Sequence, residues 1–451
     1  MKKTLLLTSL VASMVAMAGT TGSVEAYNEN KATFVKGAKP TFVAKKTGVK
    51  TEVKVNGTGF SFGRDFKAED LELGKVTKAN YLNHSSVWAK YELPELTKGL
   101  NMYVKGTVSP KFANEDAATA ATEPYKFDGS AELEGQVSYK YDVLTFGLNS
   151  KTNFPFKLSK DNDDYGKDVK STHKVFVESE EGKDVFVKGL KDVKANLEIK
   201  HNYAKDVVKA GDRVDYVSGE ASAKYDGVKD LELEGKVSFK RNIKSGEKIG
   251  NYEVLGTKLF REKEARYIHS YELKGTYKGV EHLTLSAKPF VAHANIKKDL
   301  REQIDNIIYG VELGAEYKML NDKLTLTGKS LLAGDTSKVT YTTSEDIKEH
   351  FVLTRGHFVF DANVKYDYSV TDKFTVSPEA TTRLTLNTSQ GVLVGTELVL
   401  TPKVSAEYKP TDTLTLKGSV KTPVKFKTVG KEFKYTDTQI KTRLNLKYEW
   451  K

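Results

Sequence analysis

The feature that most constrains this chain is an alternation of apolar and polar side chains, written again and again along its length. Leu398, Leu400, Pro402, Val404, Ala406 and Tyr408 share one parity. Glu397, Thr401, Lys403, Ser405 and Glu407 share the other, with Val399 the exception. After Pro410-Thr411-Asp412 the pattern resumes, with Leu414, Leu416, Gly418, Val420, Val424 and Phe426 facing one way and Thr413, Thr415, Lys417, Ser419, Lys421 and Lys425 the other. A period of two marks a β-strand with two unlike faces, and Pro-Thr-Asp between two such runs is turn chemistry. The unit is a β-hairpin with one apolar and one charged face. Its wording, "AEYKPTDTLTLKGS" from Ala406, has a near copy in "AEYKMLNDKLTLTGK" from Ala315.

Looser copies fill the chain. Val87/Ala89/Tyr91 answer Met102/Val104/Val108, and Leu133/Val137/Tyr139 answer Leu144/Phe146/Leu148. Ala221/Ala223/Tyr225 answer Leu231/Leu233/Val237, Tyr271/Leu273/Tyr277 answer Leu283/Leu285, and Phe360/Val364/Tyr366 answer Phe374/Val376. A tyrosine usually closes the apolar face just before a short turn. The connections on the other side are read as long and polar: 63–84, 155–173, 242–265 and 334–355. Alternation over roughly nine to twelve residues is what a tilted strand needs to cross a bilayer, whereas soluble sandwich strands average roughly five to six. Short turns at one rim, long loops at the other and a ring of tyrosines at one level are the pattern of a transmembrane barrel. The charged fraction of 29% does not argue against this, because only every second residue of a barrel strand meets lipid.

The N-terminus reads as an export signal. Lys2 and Lys3 precede a short apolar run, Leu5 to Ala18, and Val24-Glu25-Ala26 offers small residues for cleavage before Tyr27. The expected organisation is a signal peptide at 1–26, an N-terminal segment at 27–47 that is periplasmic or a first-strand region, and a barrel at 48–451. The absence of cysteine excludes a disulfide-stapled secreted domain and a lipid-anchored cysteine. Eight hairpins between residues 85 and 427, a final strand near 438–450 and a first strand at 48–62 give about 18 strands, with roughly 16 to 20 as the range. At that size side chains do not fill the interior, and a water-filled channel is the default. Pro289, Pro378, Pro402 and Pro423 fall in strand-like stretches and are expected at rims or bulges, since proline cannot donate to a ladder.

The last residues, "RLNLKYEWK", place Leu444, Leu446, Tyr448 and Trp450 on one face. This resembles the C-terminal signature strand of Gram-negative outer-membrane β-barrel proteins, with the departure that the aromatic Trp450 is penultimate and Lys451 is last. The lysine-, glutamate- and threonine-rich style is similar to porin-like barrels of fusobacterial type. The resemblance implies an all-β, antiparallel, up-and-down transmembrane barrel in the outer membrane of a diderm bacterium. It also implies contact with outer-membrane lipid, recognition of Tyr448 and Trp450 by the barrel assembly machinery, and an architecture that admits a homotrimer.

The polar parity then lines the pore. Glu132, Glu134, Lys151, Lys236, Glu312, Glu316, Lys329, Arg383, Glu407, Lys417, Lys421 and Arg443 are the expected lining residues, giving a hydrated wall with a weak anion bias. Cross-strand Glu–Lys pairing accounts for most of them without any net field. Other signals are slight. "DNDDYG" (161–166) resembles part of a calcium loop but lacks the downstream bidentate glutamate. The eight histidines show no H-E-x-x-H spacing, and there is no G-x-S-x-G elbow. No cofactor, no nucleic acid and no enzymatic role are expected. A chain with an N-terminal plug inside a barrel of about 22 strands would need more residues. The sequence therefore points to a passive channel for small hydrophilic solutes, the alternative being a surface adhesin or antigen that uses its long loops.

Overall fold

The computed structural model describes residues 19–72, 85–112, 127–158, 164–165, 169–203, 214–243, 252–259, 265–297, 302–342, 348–430 and 432–450. Its wall starts with β1 (Thr20–Val35), β2 (Thr41–Val55), β3 (Phe60–Glu72), β4 (Ser86–Glu92) and β5 (Leu100–Phe112). It continues through β6 (Phe127–Tyr141), β7 (Leu144–Leu158), β8 (Lys170–Ser179), β9 (Leu190–Asn202) and β10 (Val214–Val228). Then come β11 (Leu231–Asn242), β12 (Ala265–Val280), β13 (Leu283–Lys297), β14 (Glu302–Met319) and β15 (Leu324–Thr342). The last five are β16 (Lys348–Tyr366, continued by Tyr368–Thr371), β17 (Phe374–Ser389), β18 (Val392–Thr411), β19 (Leu414–Lys421 and Val424–Val429) and β20 (Glu432–Trp450). Every neighbouring pair is antiparallel, and β1 pairs with β20 from Gly22↔Trp450 to Val35↔Asp437, which closes the ring.

The wall has 20 strands rather than about 18. The difference lies at the N-terminus. The stretch 48–62, expected to be one strand, holds the end of β2, a turn and the start of β3, and 20–47 supplies β1 and the rest of β2. Thr20–Ala26, placed by the sequence in the removed signal, pairs with β2 on one side and β20 on the other.

Closure satisfies the backbone where lipid offers no partner. Parity then sorts the side chains. Leu133, Leu273, Leu313 and Val404 point outward and are 48–52% exposed. An apolar band of this extent on a protein surface belongs in hydrocarbon rather than water. Tyr91, Tyr139, Tyr225, Tyr277, Tyr317 and Tyr408 ring the outer surface beside the tight turns, the position of an interfacial aromatic girdle. The protein is thus a closed antiparallel up-and-down β-barrel with an apolar outer band, the architecture of a strand-spanning membrane protein. Among the described residues no helix is long and apolar enough to cross a membrane.

The strand prolines sit within the wall, where the ladder is interrupted. The β12–β13 register passes from Glu272↔Phe290 to Gly275↔Ala287, skipping Pro289. Pro378 falls opposite Tyr366, where the β16–β17 register lapses between Lys365↔Glu379 and Tyr368↔Val376. Pro402 faces the break in β19 at Thr422-Pro423, and its carbonyl accepts the Thr422 N–H at 2.9 Å. A missing N–H is tolerated where the neighbouring strand has no carbonyl to offer.

The connections opposite the termini are long between β3 and β12 but short afterwards. The expected loop 334–355 is in fact the paired ends of β15 and β16, which keep register from Gly334↔Gly356 to Thr342↔Lys348. In "DNDDYG", Asp164–Tyr165 bridges to β7 at Phe156↔Tyr165. Its other residues, and residues 1–18, lie outside the described residues.

Candidate functional site: a hairpin folded into the lumen

The inward face carries the charges, and most meet a partner across the ladder. Lys151 pairs with Glu132 at 2.9 Å, and Lys236 with Glu220 at 2.8 Å. Glu134 accepts from the Tyr103 hydroxyl at 2.6 Å and the Asn149 amide at 3.0 Å. Lys288 lies 3.2 Å from Glu312 and 3.7 Å from Glu272. Glu316 lies 3.8 Å from Lys318, and Lys329 stands opposite Asp361 in the β15–β16 register. Glu407 is held by Lys409 at 2.6 Å and Lys417 at 2.8 Å, and Arg443 reaches Glu29 at 3.4 Å. These pairs fix side-chain positions along the wall and cancel much of one another's field.

One sector of the inner wall breaks this rule. Phe290, Ala292, Ala294, Ile308, Leu331, Ala333 and Val359 point inward and are buried. They are covered by a piece of the connection between β11 and β12. There, Glu253–Val254 and Thr257–Lys258 pair as a two-stranded hairpin. Leu255 (φ 47°) and Gly256 (φ 66°) form its tip, the two left-handed residues that a tight two-residue hairpin turn requires. Tyr252, Val254 and Leu259 are buried against the apolar sector, and the Leu259 N–H donates to the Tyr252 carbonyl at 3.0 Å. Burial of Val254 and Leu259 gives on the order of 1.5–3 kcal/mol each.

Two polar anchors set the hairpin's position. The Tyr252 ring packs on Phe290 with centroids 5.9 Å apart, and its hydroxyl donates to Glu272 at 3.2 Å. Burial, and then the Glu272 charge, pushes this phenol up, so it stays protonated and able to donate. At the tip, Arg383 of β17 donates to the Leu255 carbonyl at 2.6 Å and the Thr257 hydroxyl at 3.0 Å while holding Asp361 at 3.1 Å. The hairpin leaves the wall beside β12 and is caught on β17, five strand spacings away, roughly 24 Å around the ring. It therefore lies along the inner wall over about a quarter of the ring, on the lumen side.

From the sequence, 242–265 is expected as a long polar connection and Arg383 as one lining residue among many. The signal that would have found the hairpin is the loss of alternation in Phe290-Val291, Ile307-Ile308, Leu331-Leu332 and Val359-Phe360. Apolar residues on both parities mean a strand covered on both faces.

Beyond the apolar sector a polar network fills the inner wall. His357 Nε2 lies 3.2 Å from Asp335, and its Nδ1 lies 2.8 Å from Asn387 Oδ1. Asn306 donates to Asp335 at 3.3 Å and to Ser337 at 2.7 Å. Both ring nitrogens of His357 are engaged, so it is built to hold strands rather than to move protons.

Away from the apolar sector, along β1, β2 and β16–β20, the lumen opens into a cavity of about 1030 Å³. Ten lysine or arginine side chains and four glutamates line it, among them Glu407, Lys417, Lys421 and Arg443.

No protein-family model matches the sequence, and no curated protein sequence matches it. Solved structures do resemble the fold. The FpvAI–pyocin S2 complex matches with a TM-score of 0.50 at 10% identity, over 96% of this chain and 70% of that chain. The siderophore receptor PirA from Acinetobacter baumannii has a TM-score of 0.48 at 9% identity, over 96% and 81%. Pseudomonas aeruginosa OccK2 in complex with glucuronate has a TM-score of 0.44 at 8% identity, over 96% and 98%. At these identities the likeness concerns the fold alone.

Proposed function

We propose that this barrel is a passive diffusion channel for small hydrophilic solutes, narrowed from within by the hairpin around Leu255-Gly256. The observation that carries the reading is the hairpin itself, pinned by Arg383 on one sector of the inner wall, beside an open lobe lined by charged side chains. Twenty strands enclose far more space than side chains fill. An inserted element sets the size of solute that passes, and the wall sets its charge. With ten basic against four acidic side chains around the open lobe, the local potential favours anions. Transport on this reading needs no energy source and no bound cofactor. Solutes exchange water of hydration for lysine, glutamate and hydroxyl contacts, and they leave because no single contact is strong.

Reconstitution into planar bilayers tests this. The expected outcome is steady single-channel steps in potassium chloride with a modest preference for chloride. Arg383→Ala removes the tip's anchor and is expected to raise the mean step and add flicker between levels. A barrel that inserts but never conducts contradicts the reading, and cell binding by such a silent barrel supports a surface adhesin instead.

A further inference from the structure

We infer that the open lobe of the lumen contains a binding site for small multivalent oxyanions, built on Lys31, Lys421 and Lys441. The inference rests on the channel reading, in which passing solutes meet these side chains.

The observation is a row. Following the register inward-facing residue by residue, Lys365 pairs with Glu379, Glu379 with Lys403, Lys403 with Lys421, Lys421 with Lys441, and Lys441 with Lys31. Five of these six neighbouring positions are lysine. Lys365 is neutralised by Asp367 at 2.8 Å and Lys403 by Glu379 at 2.7 Å. Among the described residues, Lys31, Lys421 and Lys441 have no carboxylate within ion-pair distance, although they stand directly opposite one another on β19, β20 and β1. Like charges facing each other across a ladder destabilise a sheet. Lysines also face each other at Lys90↔Lys105, Lys191↔Lys224 and Lys427↔Lys434, but there Lys90 is held by Glu92 at 2.6 Å, Lys191 by Asp226 at 2.7 Å and Lys427 by Glu397 at 3.0 Å. The rows next to the lysine row differ too: one lumen step toward the chain termini the row reads Ser405, Ser419, Arg443 and Glu29, and the next reads Glu407, Lys417, Asn445 and Tyr27. Those rows pair their cations or dilute them with neutral side chains.

Three unpaired ammonium groups on adjacent strands, spaced about 5 Å apart at the backbone, match a solute carrying two or more anionic oxygens groups apart by a similar distance. Ser405 and Ser419 add hydroxyl donors beside them. Lysine, a flexible point charge with three donors, suits rounded oxyanions such as phosphates better than it suits one fixed planar partner. The row also lies close to the hairpin. Arg383, which holds the tip, is two lumen positions along β17 from Glu379. A solute passing the tip meets the row next.

Inorganic pyrophosphate is the probe. Calorimetric titration into the detergent-purified full barrel is expected to show saturable binding that weakens at least ~10-fold in the double variant Lys421→Gln/Lys441→Gln. Lys151→Gln, a paired lysine on the opposite wall, is expected to leave it unchanged. Thermal unfolding guards against a merely structural effect. Removing like-charge repulsion is expected to leave the melting temperature equal or higher, and a lower one would mean that the lysines support the fold instead. Absence of binding, or equal loss in the Lys151→Gln control, overturns the site even if the barrel conducts potassium chloride. Binding without any conductance would keep the site and overturn the channel.

Discussion

At the scale of single residues, the seam of the barrel shows how one glycine and one indole depend on each other. Gly22 lies under the Trp450 ring, where a Cβ would come 2.6 Å from Trp450 Cζ2 and run into the Glu52 carbonyl oxygen. The ring covers Val24 and Val53, stacks beside Tyr448 at 6.3 Å, and its Nε1–H donates to the Thr20 hydroxyl at 3.3 Å. Trp450, read from sequence as an assembly signal, is therefore also the plug of the closing seam. Gly22→Ala forces the indole off this platform. Overpacking of this kind costs about 1–3 kcal/mol. The expected result is a lower melting temperature of the heat-modifiable band on gels, with Ala26→Gly as a control on the same strand that leaves the Trp450 platform intact.

At the scale of elements, the position of β1 carries a prediction about processing. Its residues Gly22–Ala26 make five of the fourteen register pairs with β20, from Gly22↔Trp450 to Ala26↔Leu446. Cleavage before Tyr27 would strip those pairs away and leave Trp450 without Val24. The small residues Ala16 and Ala18, spaced around Met17, offer a cut that spares β1. Intact mass measurement of the chain recovered from outer membranes is expected to give an N-terminus at Gly19, and a start at Tyr27 would contradict the seam. Why β1 escaped the sequence reading is physical. Its outward residues include Gly22, Ala26 and Asn28, so its alternation is weak, and an N-terminal apolar run nearby suggests export instead. The hairpins from β4 to β19 were legible because Leu, Val and Tyr mark every second position. The lumen hairpin was not, because Tyr252-Glu253-Val254-Leu255 is too short to show a period. Its binding sector advertised itself only as a failure of alternation in other strands, far away in the chain. The pairing of wall charges was legible as a type of contact, but the lysine row was not, since register between β1 and β20 joins residues more than four hundred positions apart.

At the scale of the whole molecule, the barrel is lopsided. One inner sector is apolar and occupied by the hairpin, while the other is open and basic. Strands β14 to β18 run to 16–20 residues, well beyond the roughly 9–11 that cross a bilayer, so that side of the wall rises above the membrane. Tall strands give the hairpin an inner surface to pack on and give β17 the reach to anchor it. Each of these features presupposes one arrangement, with apolar side chains toward hydrocarbon and charged ones around an aqueous interior. The chain contains no cysteine, so cysteines introduced singly at Glu132, Leu133 and Glu134 can be probed without background. In proteoliposomes, a membrane-impermeant charged thiol reagent is expected to modify positions 132 and 134 and spare 133. Modification of 133 alone, or of all three alike, would contradict the arrangement.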